Sequence, residues 1–406
     1  MQRLRVASVC RVLPTPSDPT GGVFVLNRLR ALGELTDLSI VQPVPFMPLL
    51  RPLPSWARSE RTPAGIEYAP MFYLPGALKR LDGRWLERSV RPSLQRLNDD
   101  KPLDLIDAHF GYPDGVGCAA VGRRLGIPVF VTIRGVEAEC IQQPTLRGQL
   151  LGALDAAAGC ISVSHSLRDI VVANGVDPAK IAVIHNAIDT ALFCYGDAAS
   201  ARKQLGIAPG RRLVVSVGSL LARKRHAIAI GAAARLKERG LPVDLAIIGG
   251  AAFEPDEPNR LKALVRKLGV AEEVRFIGGA PQSEVVQWLR AADAFALASA
   301  REGCCNAVLE ALAVGVPTVV TSAGDNARFV TDGVNGYVTP VDDEGAFADR
   351  LEAALKNGAW ERQRIARRLF EQVGDWGRVA KRVADFFSQQ LAALRDTRSR
   401  TRAQPC

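Results

Sequence analysis

The sequence predicts an α/β protein of two consecutive domains, each built on a parallel sheet. Three observations carry this. The chain has 406 residues, more than one ordinary core organises, so two domains of about 150 to 200 residues are expected. Apolar residues make up 48% of it and aromatics only 6%, with 36 glycines and no low-complexity tract, a soluble α/β composition. Short apolar runs alternate with glycine-bearing turns and helix-period segments, and this order starts afresh at Arg212.

In the first half, Leu4 to Val9 reads as a strand, Pro14 to Gly22 as a loop of turn formers and Val23 to Leu32 as a helix. The pair Gly21-Gly22 before that helix either admits a ligand close to the backbone or serves the turn alone. Pro43 to Pro75 reads as irregular loops around one edge strand. From Leu78 to Leu97 the apolar Leu78, Leu81, Trp85 and Leu86 alternate with Lys79, Arg80, Arg84, Arg88 and Arg91. This is a surface helix packing Trp85 inward, or a basic amphipathic segment for an anionic membrane.

Leu103 to His109 is the next strand, with His109 at its C-terminal end, where ligands gather in parallel sheets. A hydrogen-bonded histidine without ligand contact fits the same place. A turn from Phe110 to Gly117 and a helix from Cys118 to Leu125 follow, then the strand Pro128 to Ile133, which empties into Arg134-Gly-Val-Glu137. A guanidinium there cannot act as a base. It either grips a phosphate or carboxylate with two N–H groups or pairs with Glu137 or Glu139. Cys160 to Ser164 and Ile181 to Ile184 complete the strands. The expected division is 1–189 for the first domain, 190–375 for the second, a last helix over 376–394 and a disordered basic tail over 395–406.

The second half opens with the strand Arg212 to Val217, then Gly218 and the cations Arg223, Lys224 and Arg225 leading into a helix from His226 to Glu238. Cations in such a loop neutralise a diphosphate that gains charge as a bond breaks. A solvated helix start is the plain alternative, although cations are disfavoured there. Val243 to Gly249, Val274 to Gly278 and Ala294 to Ala298 read as strands, with a helix from Arg260 to Leu268. After Ala298 comes a loop broken at Glu302-Gly303, Cys304, Cys305, then Asn306 as the expected N-cap of a helix ending at Gly315 and Pro317. The carboxylates Glu302 and Glu310 frame this corner. It offers backbone amides to an anion and carboxylates to hydroxyls, which suits a phosphate set between two polyols.

Charge and cysteines narrow the classes. The net charge of +10 admits anionic lipid or a polyanionic sugar. The arginines are spread over many helices with no aromatic-basic motif, which argues against nucleic acid. Eight cysteines without a C-x-x-C and four histidines with none at ligand spacing argue against disulfides and a bound metal, and fit a reducing cytosol. No run of about 18 apolar residues appears, and the N-terminus reads as a strand, not a secretory signal.

The run Glu302-x7-Glu310 followed by Ala311-Leu-Ala-x-Gly315-x-Pro317 resembles the donor-sugar motif of GT-B glycosyltransferases of the retaining family 4 type. The resemblance extends over nearly the whole chain and implies two Rossmann-like domains facing a cleft, with the last helix crossing back to the first. It implies a nucleotide-sugar donor on the second domain and a saccharide or lipid-linked saccharide acceptor on the first. No cofactor is expected. The location expected is cytoplasmic, peripheral on the inner membrane face.

By resemblance, Glu302 faces the sugar, Glu310 the ribose, and the amides from Gly303 through Cys304 and Cys305 to Asn306 hold the diphosphate. Gly22, Gly218 and Gly249 adjoin the donor, and His109 lies on the acceptor side. Lys224 matches the family's lysine, whereas Ser219 stands where a first basic residue is usual, so Arg223 is expected to substitute. Arg134 stands where the family often has a histidine. The segment Ala323 to Val330 departs from the usual G-G-x-P-E. Glu302, Lys224, Arg223 and Arg134 are thus the expected catalytic set, in retaining transfer of a hexosyl group to a hydroxyl for polysaccharide or glycolipid assembly. A sugar-nucleotide epimerase or an inactive sugar-binding relative are the alternatives.

Overall fold

A computed structural model describes residues 3–58, 65–74, 78–251, 254 and 256–403, the last seven of these as backbone only. The chain divides into two compact units, 1–186 with 376–406, and 187–375. The first division falls three residues before the expected 189/190.

Unit 1 holds strands β1 (Arg5–Val9), β2 (Asp37–Phe46), β3 (Ile66–Phe72), β4 (Leu105–His109), β5 (Val129–Ile133), β6 (Gly159–Ser162) and β7 (Ile181–Val183). All pair in parallel, in the order β3-β2-β1-β4-β5-β6-β7. Every residue of β1, β4 and β5 is buried, as expected of a sheet covered on both faces. Strand β2 corrects the expectation of irregular loops from Pro43. Asp37 N donates to Leu4 O on the β1 side, so the odd-numbered positions of β2 face β1, and β1 ends opposite Val41. Pro43 and Pro45 therefore lack an N–H only where no partner remains to receive it, and the strand continues. Residues 59–64 and 75 of that stretch lie outside the described residues.

The helix Asp82–Asp100 carries Pro92 within it, and Trp85 is half-buried, with Phe72 edge-on at 5.0 Å. The last helix, Trp376–Ala403, belongs to unit 1. Its Phe387 and Phe386 rings lie 4.7 and 6.0 Å from Phe130 at the centre of the sheet, and Arg382 Nη2 donates to Val183 O at 3.0 Å. It runs on through Ala403, correcting the expectation of a disordered tail from Arg395. Residues 395–403 contain neither glycine nor proline to stop it; 404–406 lie outside the described residues.

Unit 2 repeats the plan with β8 (Arg212–Val217), β9 (Val243–Ile248), β10 (Val274–Gly278), β11 (Ala294–Leu297), β12 (Thr318–Thr321) and β13 (Gly336–Thr339), parallel in the order β10-β9-β8-β11-β12-β13. Alternation along β8 splits its core between two faces. Leu213 and Val215 join Phe295, Leu309 and Leu312 on one, and Val214 joins Ile230, Ala294 and Ala296 on the other. In each unit the strand order reverses beside the first strand, between β1 and β4 and between β8 and β11. Such switch points open a crevice at the strands' C-terminal ends.

Candidate functional site

The crevice of unit 2 gathers most of the residues singled out by sequence. Beyond β11, Glu302 is nearly buried, its side chain 7% exposed. It accepts from Lys224 Nζ and from Ser299 Oγ, both at 2.6 Å on Oε1, and Arg223 Nη1 lies 3.8 Å from Oε2. Burial alone would raise the Glu302 carboxyl; Lys224 and Ser299 more than offset it and hold it below the usual range. Burial likewise disfavours charge on Lys224, and Glu302 outweighs this and raises the ammonium. The pair is therefore ionised, one charge of each sign at the switch point.

Backbone geometry brings Lys224 there. Ala300 N donates to Arg223 O at 2.8 Å, tying the β8 loop to the β11 loop. The Lys224 stem passes Gly218, where an added Cβ would touch it at 3.4 Å. Gly249 lies under the same loop, and a Cβ there would stand 1.9 Å from Gly218 O, so any side chain would push the loop away. Arg225 turns aside in a left-handed conformation and pairs with Asp342 at 2.9 Å; it is not part of the cluster.

Sequence reasoning missed Ser299, His226 and Gln282. His226 is 1% exposed beneath the Gly218 loop. Its Nε2 lies 3.2 Å from Gly218 O and its Nδ1 3.3 Å from Ser216 Oγ. A carbonyl only accepts, so Nε2 carries the proton, and burial, pushing the ring down to about 4, keeps it neutral. A histidine directly after a run of cations was the available signal. Ser299 stands three residues before Glu302, a local spacing that could have signalled it, whereas the Gln282 contact spans 28 residues and no spacing announces it.

The helix Asn306–Ala313 has Cys305 at its N-cap, so Asn306 is its first helical residue and not the cap. No side chain caps it, and Val308 N and Leu309 N bond back to Cys305 O. Burial pushes the Cys305 thiol up to about 12, so it stays protonated. Gly303 and Cys304 complete the corner between Glu302 and Cys305. Glu310 accepts from Gln282 Nε2 at 3.3 Å; burial pushes its carboxyl up to about 7, with Gln282 opposing. Held protonated in the folded chain to higher pH than in the unfolded chain, this group contributes stability below its ordinary value of 4.5, and the contribution is lost as pH rises through about 7. Glu310→Gln should therefore gain in urea midpoint on wild type between pH 5 and pH 8. An unchanged difference at the two pH values would refute the assignment.

In unit 1, Gly22 caps the helix Val23–Leu35 at φ 67°, with space for no Cβ, since one would lie 2.0 Å from Val12 O. His109 is fully buried. Its Nε2 lies 3.0 Å from Asp107 Oδ2, and its Nδ1 receives Arg134 Nη2 at 3.1 Å and Nε at 3.3 Å. Burial pushes the ring down to about 4 despite Asp107. A neutral ring with its proton on Nε2 satisfies both contacts, so His109 supports Arg134 from behind and has no nitrogen left for an acceptor. The carboxylate of Glu137 is occupied by main-chain N–H groups, Gly111 at 2.6 Å, Gly135 at 2.7 Å and Arg134 at 3.1 Å. It takes the amide of Arg134, not the guanidinium.

Two family profiles match the sequence: Glycosyltransferase Family 4 over residues 25–192 and Glycosyl transferases group 1 over residues 197–372. The chain belongs to the group 1 glycosyltransferases. Among its relatives, a D-inositol 3-phosphate glycosyltransferase of Frankia alni is 29% identical over 306 residues, 71% of this chain and 75% of that one. One from Catenulispora acidiphila is 28% identical over 73% of each. The GT-B fold is shared with sucrose-phosphate synthase from Thermosynechococcus elongatus (TM-score 0.78, 18% identity, 96% of this chain and 100% of that one). It is shared also with Anabaena HepE, solved in complex with UDP and glucose (TM-score 0.76, 21% identity, 95% and 100%).

Proposed function

We propose that this group 1 glycosyltransferase moves a hexosyl group from a nucleotide-sugar, held by unit 2, to a hydroxyl of a saccharide acceptor held by unit 1, with retention of anomeric configuration. The observation that carries this reading is the ionised Lys224–Glu302 pair at the β8/β11 switch point, beside the start of a helix without a side-chain cap. A lysine there stabilises the diphosphate as it departs, while the carboxylate accepts hydrogen bonds from sugar hydroxyls. In a front-face reaction the departing phosphate takes the acceptor's proton, so the chain itself supplies no general base. The names of the relatives and the UDP and glucose bound by a structural neighbour support the donor class.

A panel of nucleotide-sugars tested for protection against thermal unfolding identifies the donor. Stabilisation by one nucleotide series, saturating with concentration, is expected. No stabilisation by any of them would defeat the reading. Turnover of the nucleotide-sugar to an epimer without acceptor would replace it with an epimerase.

The acceptor we propose is lipid-linked, with unit 1 resting on an anionic membrane. Support comes from the turn closed by Met47 and Arg51, whose tip exposes Leu49 and Leu50 by 98% and 81%. Exposed Leu78, Lys79, Arg80, Arg84 and Arg88 add a basic, partly apolar surface in the same unit. Flotation with vesicles containing phosphatidylglycerol, lost in the double variant Leu49→Ser/Leu50→Ser, is expected. Full activity on a soluble acceptor without flotation would contradict it. No helix among the described residues is long and apolar enough to cross a membrane.

A further inference from the structure

Arg134, directly after β5, has an unusual set of partners. Its guanidinium reaches two neutral acceptors, His109 Nδ1 and Asn186 Oδ1, the latter at 3.3 Å from Nη1. The Phe24 ring covers one face, its centroid 5.4 Å away. Among the described residues no carboxylate lies within 4.0 Å of it, the distance at which other arginines of this chain pair.

The donor count sharpens this. Of the five N–H groups of an arginine, Nε and one on Nη2 go to His109 and one on Nη1 goes to Asn186. One N–H on each terminal nitrogen is left without a partner among the described residues. Two such donors on one planar group match the two oxygens of a carboxylate or phosphate.

A second cation deepens the deficit. Arg28, 2% exposed, donates from Nη1 to Thr132 Oγ1 and approaches Asp107 Oδ1 only to 3.8 Å. Its buried Nε and Nη2 find no hydrogen-bond partner among the described residues. Asp107 spends Oδ2 on Ser8 and His109, which leaves only Oδ1 to face the guanidinium of Arg28. Burial, then repulsion from Arg28, pushes Arg134 down to about 9. A nearby anion would relieve both.

We propose that Arg134, backed by His109 and Asn186 and covered by Phe24, is the receptor for an oxyanion, phosphate or carboxylate, carried by the substrate that unit 1 binds. The inference rests on the reading that unit 1 holds the acceptor, and it narrows that acceptor to an anionic saccharide or polyol. His109 is a positioning residue, holding the fork through a nitrogen that must remain unprotonated.

The test uses the full chain saturated with the nucleoside diphosphate that the panel identifies, UDP first, so that the donor corner is filled, and titrates inorganic phosphate by calorimetry. Saturable phosphate binding is expected for wild type, at least tenfold weaker in Arg134→Gln, and intermediate in Arg134→Lys, which keeps a charge but not the fork. Arg134→Lys also serves should the glutamine variant unfold early. Equal phosphate affinity in wild type and Arg134→Gln, or none in wild type, overturns the proposal. So does a loss of UDP affinity in Arg134→Gln, which would make the anion the donor's own diphosphate. Preference for D-inositol 3-phosphate over inositol identifies a phosphate ester as the carrier, and preference for glucuronate over glucose a carboxylate. Identical binding of charged and neutral members in both pairs overturns it. Failure of every nucleoside diphosphate in the panel to bind, with an Arg134-dependent phosphate response intact, would defeat the donor reading and leave this site standing.

Discussion

Lys224→Ala is expected to lower kcat/KM for the nucleotide-sugar by at least about 10²-fold, the scale of removing one preorganised electrostatic contact to a developing charge. The reason is local: the ammonium is the closest cation to Glu302, at 2.6 Å, and its side chain is 11% exposed, so no solvent takes over its role. The same substitution leaves a carboxylate buried without its main partner, which costs about 3–5 kcal/mol in urea unfolding. Arg223→Ala is the control. That side chain is 35% exposed and 3.8 Å from the carboxylate, and its loss should cost less than Lys224 in both measurements. Near-normal turnover in Lys224→Ala would remove the lysine from the site.

Glu302→Ala is expected to be as damaging to kcat and to differ in binding. In the free chain Glu302 holds Lys224 and Ser299 on one oxygen, so it competes with any diphosphate for the ammonium. Without it, UDP affinity should stay level or tighten, whereas Lys224→Ala should weaken UDP. A kcat loss with unweakened nucleotide binding marks a group acting on the sugar and not on the leaving group. Equal weakening of UDP in both variants would show that the pair only holds the two loops together.

The two predictions rest on residues of unequal legibility. Glu302, Glu310 and Lys224 stand out because a strand-loop-helix corner is written in local pattern: an apolar run, a glycine break, then helical spacing. For the same reason β8 and the helix His226–Glu238 coincide with their expected limits. Strand β2 was obscured because proline normally argues against a strand, and only the early end of β1 makes Pro43 and Pro45 harmless. Gln282 binds its carboxylate across 28 residues, and the Asp107–His109–Arg134 relay joins strand β4 to the loop after β5. Partners of that kind follow from sheet order, which spacing within one segment does not contain. The guanidinium of Arg134 was visible as a residue type; that its partners are neutral was not.

The most direct measurement is a crystal structure of the chain with UDP. The diphosphate is expected against the amides from Gly303 to Asn306, with Lys224 Nζ within hydrogen-bond distance of a phosphate oxygen and Glu310 accepting from the ribose. UDP bound elsewhere, or Lys224 turned away from a diphosphate seated in that corner, would contradict it.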